Sequence, residues 1–154
     1  MTESPEIETD FLFEASFELA PTIDLGPGLL GQRRMVPSLS GAFAGPKMRG
    51  TVLPGSDWQV VGAGNVTVLE AQYALQTDDG VLIRVVNKGF RRGPAEVMRR
   101  LAAGEPVDAS EYYMRAAPAF DAPNGRYQWL NSSLFVSSGA RSEGHLILRV
   151  YEVL

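Results

Sequence analysis

The chain has 154 residues and a net charge of -4, which is the size of one domain and lacks the basic character of a general nucleic-acid binder. It contains no cysteine, which excludes thiolate catalysis, cysteine-based zinc sites and disulfides. Sixteen glycines and ten prolines are spread along the sequence, as is typical of many turns between short strands, so an all-β domain is predicted.

The first ten residues, MTESPEIETD, are acidic and polar and lack the features of a signal peptide. No later run approaches the ~18 apolar residues of a membrane helix. We therefore expect a cytoplasmic protein with a flexible tail at residues 1–10 and a single domain at residues 11–154.

Apolar and polar residues alternate along much of the chain, which predicts a series of short strands. In residues 11–20, Phe13, Ala15 and Phe17 share one face, as in a half-buried strand. Residues 21–31 are rich in proline and glycine and are predicted to be a connection. Further strands are predicted at 32–44, 48–53, 58–61, 112–119, 127–136 and 145–154, with a turn at 137–143.

Residues 66–89 predict a long β-hairpin whose register follows from its turn. Asp78-Asp79-Gly80 suits a three-residue loop, with glycine in the left-handed region. Opposed pairs then place Tyr73 against Val85 and Ala71 against Asn87 on an apolar face. The other face carries Glu70 opposite Lys88, a cross-strand ion pair. Tyr73 and Asn87 are therefore predicted to point into the interior.

One helix of about ten residues is predicted after the hairpin, because Pro94, Val97, Met98 and Leu101 follow helical spacing and Gly104 can end the helix. The arginines in and before this helix are interpreted as a solvated face, with Arg100 paired to Glu96. The alternative is a basic flap over a pocket that takes an anionic ligand.

Eight to ten strands with one helix favour an antiparallel β-barrel, because closure removes exposed strand edges. A membrane barrel is disfavoured, since the outer face of the hairpin carries Glu70, Gln72, Arg84 and Lys88.

Common catalytic and cofactor motifs are not found in the sequence. The G-x-G at residues 62–64 lacks the third glycine of a dinucleotide site and precedes a strand. His145 is the single histidine, whereas imidazole metal sites generally use more than one. Asp78 and Asp79 are explained by turn chemistry. We expect neither a metal nor a cofactor.

Several motifs in order resemble the DUF3237 (UPF0311) family over nearly the whole chain. They are GQR at 31–33, GAFAGP at 41–46, RGTVLPGSDW at 49–58, LEAQYALQTDDG at 69–80, NKG at 87–89, GEPVDASEYYMRAAPAF at 104–120 and WLN at 129–131. The resemblance implies a small antiparallel barrel of lipocalin-like or calycin-like form with a cavity, and no general reaction. Glu70 and Gln72 stand where the family is expected to carry Asp and Arg, on the outer face.

The predicted site combines donors and aromatic groups in an apolar wall, which suits an enolate, a carboxylate or a carbonyl oxygen. Arg33 and Arg34 lie on opposite faces of their strand, so one of them is expected to face inward. In the predicted roles, Arg33 and Arg115 hold anionic oxygen and Tyr73 donates or accepts a proton. The predicted ligand-binding residues are Asn87, Tyr113, Trp129 and Asn131.

The catalytic base is left open, because arginine cannot act as a base near neutral pH. It is Tyr73 or Tyr113 with a lowered pKa, a carboxylate at the rim such as Asp57 or Asp79, or a group of the substrate.

Three functions remain open from the sequence. The first is a cofactor-independent isomerase, cyclase or lyase acting on a small, hydrophobic, oxygenated molecule, with an anionic molecule as one option. The second is a non-catalytic binding or carrier protein for such a ligand. The third is a domain that works through homo-oligomerisation. No nucleic-acid or membrane partner is expected.

Overall fold

The structure of the protein is a computed structural model that describes residues 2–154, and this range contains ten strands and one α-helix. The strands are β1 Thr9–Leu19, β2 Ile23–Gly28, β3 Gly31–Ala44, β4 Arg49–Val52, β5 Gly55–Val61, β6 Thr67–Thr77, β7 Leu82–Arg92, β8 Tyr113–Asp121, β9 Leu134–Ser142 and β10 His145–Val153. The helix α1 is Ala95–Ala102, and short 3-10 turns lie at Ala63–Asn65, Ala109–Glu111 and Gln128–Ser132. No helix in the described residues is long and apolar enough to cross a membrane.

The strands close into one antiparallel barrel. β1 pairs with β10 on one side and with β3 on the other, which joins the two ends of the sheet. β4 and β5 follow each other along β3, so together they occupy one position between β3 and β6. The barrel therefore has eight strand positions, and the predicted all-β barrel with one short helix is confirmed.

The register predicted for the central hairpin is confirmed. Tyr73 pairs with Val85 and Ala71 with Asn87 across β6 and β7. The Thr77 backbone N–H donates to the carbonyl of Val81 at 2.9 Å. Gly80 has φ +85°, which a glycine adopts without steric cost. Alternation then orients every second residue of both strands toward the barrel interior.

Two segments differ from the sequence prediction. The first connection contains β2, which pairs only with β3 and tolerates Pro27 because it is an edge strand. In the second segment, Gln128–Ser132 forms a 3-10 turn, and β9 covers most of the predicted turn at 137–143. The chain instead reverses at Gly144, which has φ +73°.

The helix is confirmed, but the ion pair predicted for it, between Arg100 and Glu96, is wrong. Arg99 pairs with Glu96 at 2.8 Å, one turn away. Arg100 reaches Glu111 of the following 3-10 turn at 3.0 Å instead. Gly104 follows the helix with φ +75°, as expected for a helix stop.

The apolar core fills one end of the barrel, next to the β6–β7 turn, and is called the apolar end. Phe13, Leu75 and Ile83 are completely buried there. The Phe13 ring lies 5.2 Å from Phe43 and 6.1 Å from Phe120, measured between ring centroids. These tilted and edge-to-face contacts are favourable for aromatic pairs, and this end of the barrel is densely packed.

Candidate functional site

A cavity lies in the middle of the barrel interior and is called the central cavity. Its wall is mainly apolar and includes Phe17, Val36, Leu69, Met114 and Leu148. Its volume of about 50 Å³ exceeds the roughly 10–15 Å³ that one water molecule needs, so a ligand of several carbon atoms enters only when neighbouring side chains move apart. A cavity of this kind forms where inward side chains are too short to fill the space between strands.

Four residues that line this cavity each have a buried polar atom with no hydrogen-bond partner among the described residues. The atoms are Asp57 Oδ1, Tyr73 OH, Asn87 Oδ1 and Ser137 Oγ. A buried polar group without a partner costs about 1–3 kcal/mol, and such groups are uncommon in native proteins. Their concentration around one cavity indicates a site for a polar ligand group.

Asp57 is the carboxylate of the central cavity. It lies on β5, and its Oδ2 accepts a hydrogen bond from Gln59 Nε2 at 2.7 Å. Burial raises the pKa of Asp57, while Gln59 and the guanidiniums of Arg91 and Arg141 act in the opposite direction. A carboxylate with a raised pKa is a better match for proton transfer near neutral pH.

Tyr73 stays protonated, because burial raises the pKa of its phenol well above the ordinary value. Its ring meets Phe17 edge-on, with centroids 5.1 Å apart. The alternative that a lowered pKa makes Tyr73 the base is therefore wrong, and its hydroxyl is suited to donate a hydrogen bond. Asp79 is not free to act as the base either, since it accepts hydrogen bonds from Thr77, Tyr127 and Arg126 at the β6–β7 turn.

A second cavity, called the arginine cavity, lies beneath α1 and has a volume of about 180 Å³. Arg34, Arg91 and Arg141 line it. None of the three forms an ion pair with a carboxylate in residues 2–154. The remaining lining residues are Thr22, Val61, Asn65, Thr67, Met98, Leu101 and Ala102.

Arg91 is the most buried of these arginines, with 5% of its surface exposed. Its Nη1 and the Nε of Arg34 have no hydrogen-bond partner among the described residues. Burial, together with repulsion from Arg141 and Arg34, lowers the pKa of Arg91 to about 10. The guanidinium is therefore charged at neutral pH in surroundings that disfavour its charge.

Two of the predicted site residues, Tyr73 and Asn87, come together on the wall of the central cavity. Arg115 borders the same cavity, but its guanidinium donates to the Met114 carbonyl at 2.9 Å and lies 5.4 Å from the Tyr113 ring centroid. Tyr113 itself lies on the outer surface, where Arg92 stacks over its ring at 4.1 Å.

The other predicted site residues lie away from the central cavity. Arg33 is exposed and donates to the carbonyls of Leu25 and Gly26, at 2.7 and 3.4 Å, so it ties β2 to β3. Trp129 packs at the edge of the apolar end, with Lys47 Nζ 5.3 Å from its ring. Asn131 bonds both backbone groups of Ala122, at 2.8 and 2.9 Å, which fixes a loop.

The residues that sequence reasoning missed are Arg34, Arg91, Arg141 and Ser137. The hairpin register contained a signal for Arg91, because the inward positions after Asn87 are Gly89 and Arg91. For Arg34, the signal was its position next to Arg33 on opposite faces of one strand, since one of the two was expected to face inward. Arg33 was the one assigned to the site. No three His, Asp or Glu side chains within residues 2–154 are grouped so as to hold a metal ion.

Comparison with known proteins gives a consistent match over the whole domain. A family model described as "Protein of unknown function (DUF3237)" matches residues 7–153. A UPF0311 protein of Rhodopseudomonas palustris is 39% identical over 152 residues, covering 98% of this chain and 99% of that protein.

Two solved structures extend the comparison to the fold. A β-barrel like protein from Acinetobacter baumannii superposes with a TM-score of 0.87 at 34% identity, with both chains covered completely. A protein described as an enzyme from Penicillium herquei gives a TM-score of 0.74 at 21% identity, again over 100% of each chain. The second likeness concerns the fold alone.

Proposed function

Because this chain belongs to the DUF3237 family and its barrel encloses unpaired polar groups, we propose that it is a cofactor-independent enzyme acting on a small, hydrophobic, oxygenated molecule. The reaction class is an isomerisation, cyclisation or elimination driven by proton transfer. One observation carries the proposal: four residues with unpaired buried polar atoms line one cavity whose wall is otherwise largely apolar, namely Asp57, Tyr73, Asn87 and Ser137.

Asp57 takes the role of general base. Its Oδ1 is free to accept a proton from the substrate, while Gln59 holds Oδ2 and fixes the orientation of the carboxylate. The protonated Asp57 then returns the proton to another atom of the substrate, so the step is balanced without an oxidant or reductant.

Tyr73 takes the role of oxyanion donor. As the base removes a proton next to a carbonyl, negative charge develops on the carbonyl oxygen, and the neutral phenol of Tyr73 can donate to it. The surrounding apolar wall strengthens such a hydrogen bond, because water does not screen it. Asn87 and Ser137 orient the remaining oxygens of the ligand.

The distant neighbour described as an enzyme supports only the coarser idea that this barrel can house catalysis. The alternative to catalysis is a carrier that binds the same ligand without turnover. Proton transfer separates the two functions, because a carrier needs no base.

The test uses β-tetralone, an apolar ketone with exchangeable protons next to its carbonyl, in D₂O. We expect the protein to accelerate deuterium uptake at that carbon, measured by proton NMR. Asp57→Asn should lose roughly 100-fold or more of this rate, as expected for removal of a general base. Tyr73→Phe should keep affinity and lose about tenfold in rate.

The matched control is Asp121→Asn, since Asp121 is an exposed aspartate outside both cavities. Binding of β-tetralone without exchange would favour the carrier. Exchange that persists unchanged in Asp57→Asn would contradict the role of Asp57. Native mass spectrometry of protein purified gently from its own host would identify the class of any natural ligand that stays bound.

A further inference from the structure

The arginine cavity and the central cavity occupy successive layers of the same barrel interior. On a strand, inward residues recur every second position, about 7 Å apart. On three strands, one inward residue lines the central cavity and the inward residue two positions away lines the arginine cavity. These pairs are Val36 and Arg34 on β3, Leu69 and Thr67 on β6, and Gly139 and Arg141 on β9.

The charge of this layer is unbalanced. Arg34, Arg91 and Arg141 contribute positive charge, and no carboxylate lines the same cavity. Asp57, which lines the central cavity, is the acidic residue whose charge acts on all three. A buried cation without a carboxylate partner is costly, so the buried Arg91 between the half-buried Arg34 and Arg141 is explained if an anion completes the site.

We infer that the arginine cavity binds an anionic group, a carboxylate or a phosphate, carried by the same ligand whose apolar body enters the central cavity. The substrate class is then a hydrophobic oxygenated acid or phosphate ester. The inference deepens the proposed function and rests on it for the position of the apolar body.

Guanidinium groups suit this role, because their planar donors match the oxygens of a carboxylate or phosphate. Arg91 Nη1 and Arg34 Nε are free to donate. The apolar side of α1, with Met98, Leu101 and Ala102, forms part of the cavity wall and reduces contact with water. Interactions with the anion are therefore stronger than at an open surface.

The first experiment compares ligands of similar shape and different charge. Benzoate, phenyl phosphate, neutral benzamide and inorganic phosphate are titrated at constant ionic strength into protein labelled with ¹⁵N, and the arginine Nε–H signals are followed by NMR. We expect benzoate or phenyl phosphate to bind at least tenfold more tightly than benzamide and to shift the signals of Arg34, Arg91 and Arg141.

The second experiment replaces one guanidinium. Arg91→Met should remove the preference of at least tenfold for the anion over benzamide. The variant should also unfold at a higher temperature than the original protein, because an unpaired buried charge is gone. Arg92→Met is the matched control, since the neighbouring Arg92 stacks on Tyr113 at the surface. Arg141→Met provides a second variant should Arg91→Met fail to fold.

Equal affinity for benzoate, phenyl phosphate and benzamide would overturn the inference, as would an anion preference that survives in both Arg91→Met and Arg141→Met. A stronger response to benzoate than to phenyl phosphate would support a carboxylate ligand, and the reverse a phosphate.

The two proposals fail separately. Inorganic phosphate needs only the arginine cavity, whereas deuterium exchange into β-tetralone needs only the central cavity. Anion binding without deuterium exchange in any assay would support the anion site and contradict the proposed enzymatic function. Deuterium exchange without any preference for an anionic ligand would support the enzymatic function and contradict the anion site.

Discussion

The two ends of the barrel interior are built differently. At the apolar end, Phe13, Leu75 and Ile83 are fully buried and the aromatic rings are in contact. In the middle of the barrel Asp57 has a buried polar atom without a partner, and beyond the middle Arg91 has another. The same alternation of inward and outward residues produces both ends, so the strand register does not distinguish them.

The difference shows where stability and chemistry are located. Burial of apolar surface stabilises the fold by about 25 cal/mol per Å², and the apolar end supplies much of it. The unpaired groups of the other half oppose folding and have to be supported by that packing. Substitutions at the two ends should therefore change stability in opposite directions.

The largest effect is expected at the apolar end. Ile83→Ala removes a completely buried side chain and should lower the free energy of unfolding by about 2–5 kcal/mol, measured by urea denaturation. Leu82→Ala is the control, because Leu82 is 56% exposed on the same strand and should change stability by less than about 0.5 kcal/mol. Equal losses of stability in Ile83→Ala and Leu82→Ala would contradict the role of the apolar end in stability.

Asn131 tests whether a predicted ligand-binding residue is structural. Asn131→Ala leaves the backbone groups of Ala122 without their partners and should destabilise the protein by about 1–3 kcal/mol. Deuterium exchange into β-tetralone should be unchanged. Asn124→Ala, at an exposed position of the same loop, is the control. A loss of exchange in the folded Asn131→Ala variant would return this residue to the site.

Substitution of Asp57 should change stability in the opposite direction, toward a more stable protein. The folded protein raises the pKa of Asp57, so it favours the protonated form, and stability is lost as the pH rises through the folded pKa. Asp57→Asn should therefore be more stable than the original protein by about 1 kcal/mol at pH 7. The gain should shrink toward pH 4 in thermal unfolding followed by circular dichroism, and Asp121→Asn should show none.

Tyr73 should give the smallest effect at neutral pH. Its raised pKa means that the folded protein holds the proton, so its contribution to stability is complete below pH 10 and is lost as the pH rises further. In an absorbance titration at 295 nm, Tyr73→Phe should leave the amplitude of the folded protein near pH 10–11 unchanged. A smaller amplitude in Tyr73→Phe would contradict the raised pKa of Tyr73.

The sequence was most informative where local chemistry and long-range pairing agree. The turn at Asp78-Asp79-Gly80 and the alternation on either side fixed one register, and the inward positions of Tyr73 and Asn87 followed. β2 was missed because Pro27 and its neighbouring glycines are typical of loops, while an edge strand also tolerates them.

The features that the sequence did not predict depend mainly on contacts between distant segments. Gln128–Ser132 forms a turn where Asn131 bonds to Ala122, and local alternation does not contain that partner. The predicted strand ended at residue 136, so Arg141 was predicted to lie in a turn, whereas it belongs to β9. Arg91 was assigned to a charged surface near the helix, although extending the hairpin register by two inward steps reaches it.

The pairing of β1 with β10 also has a consequence for folding kinetics. Residues 9–18 align with residues 145–153, so the contact that closes the barrel joins segments more than 120 residues apart. Such a high contact order slows folding, because a large loop has to close before the contact stabilises the chain. During synthesis these two strands meet only after residues 145–153 have left the ribosome. Until then β1 and β9 present open edges, and partly made chains are exposed to aggregation at these strands.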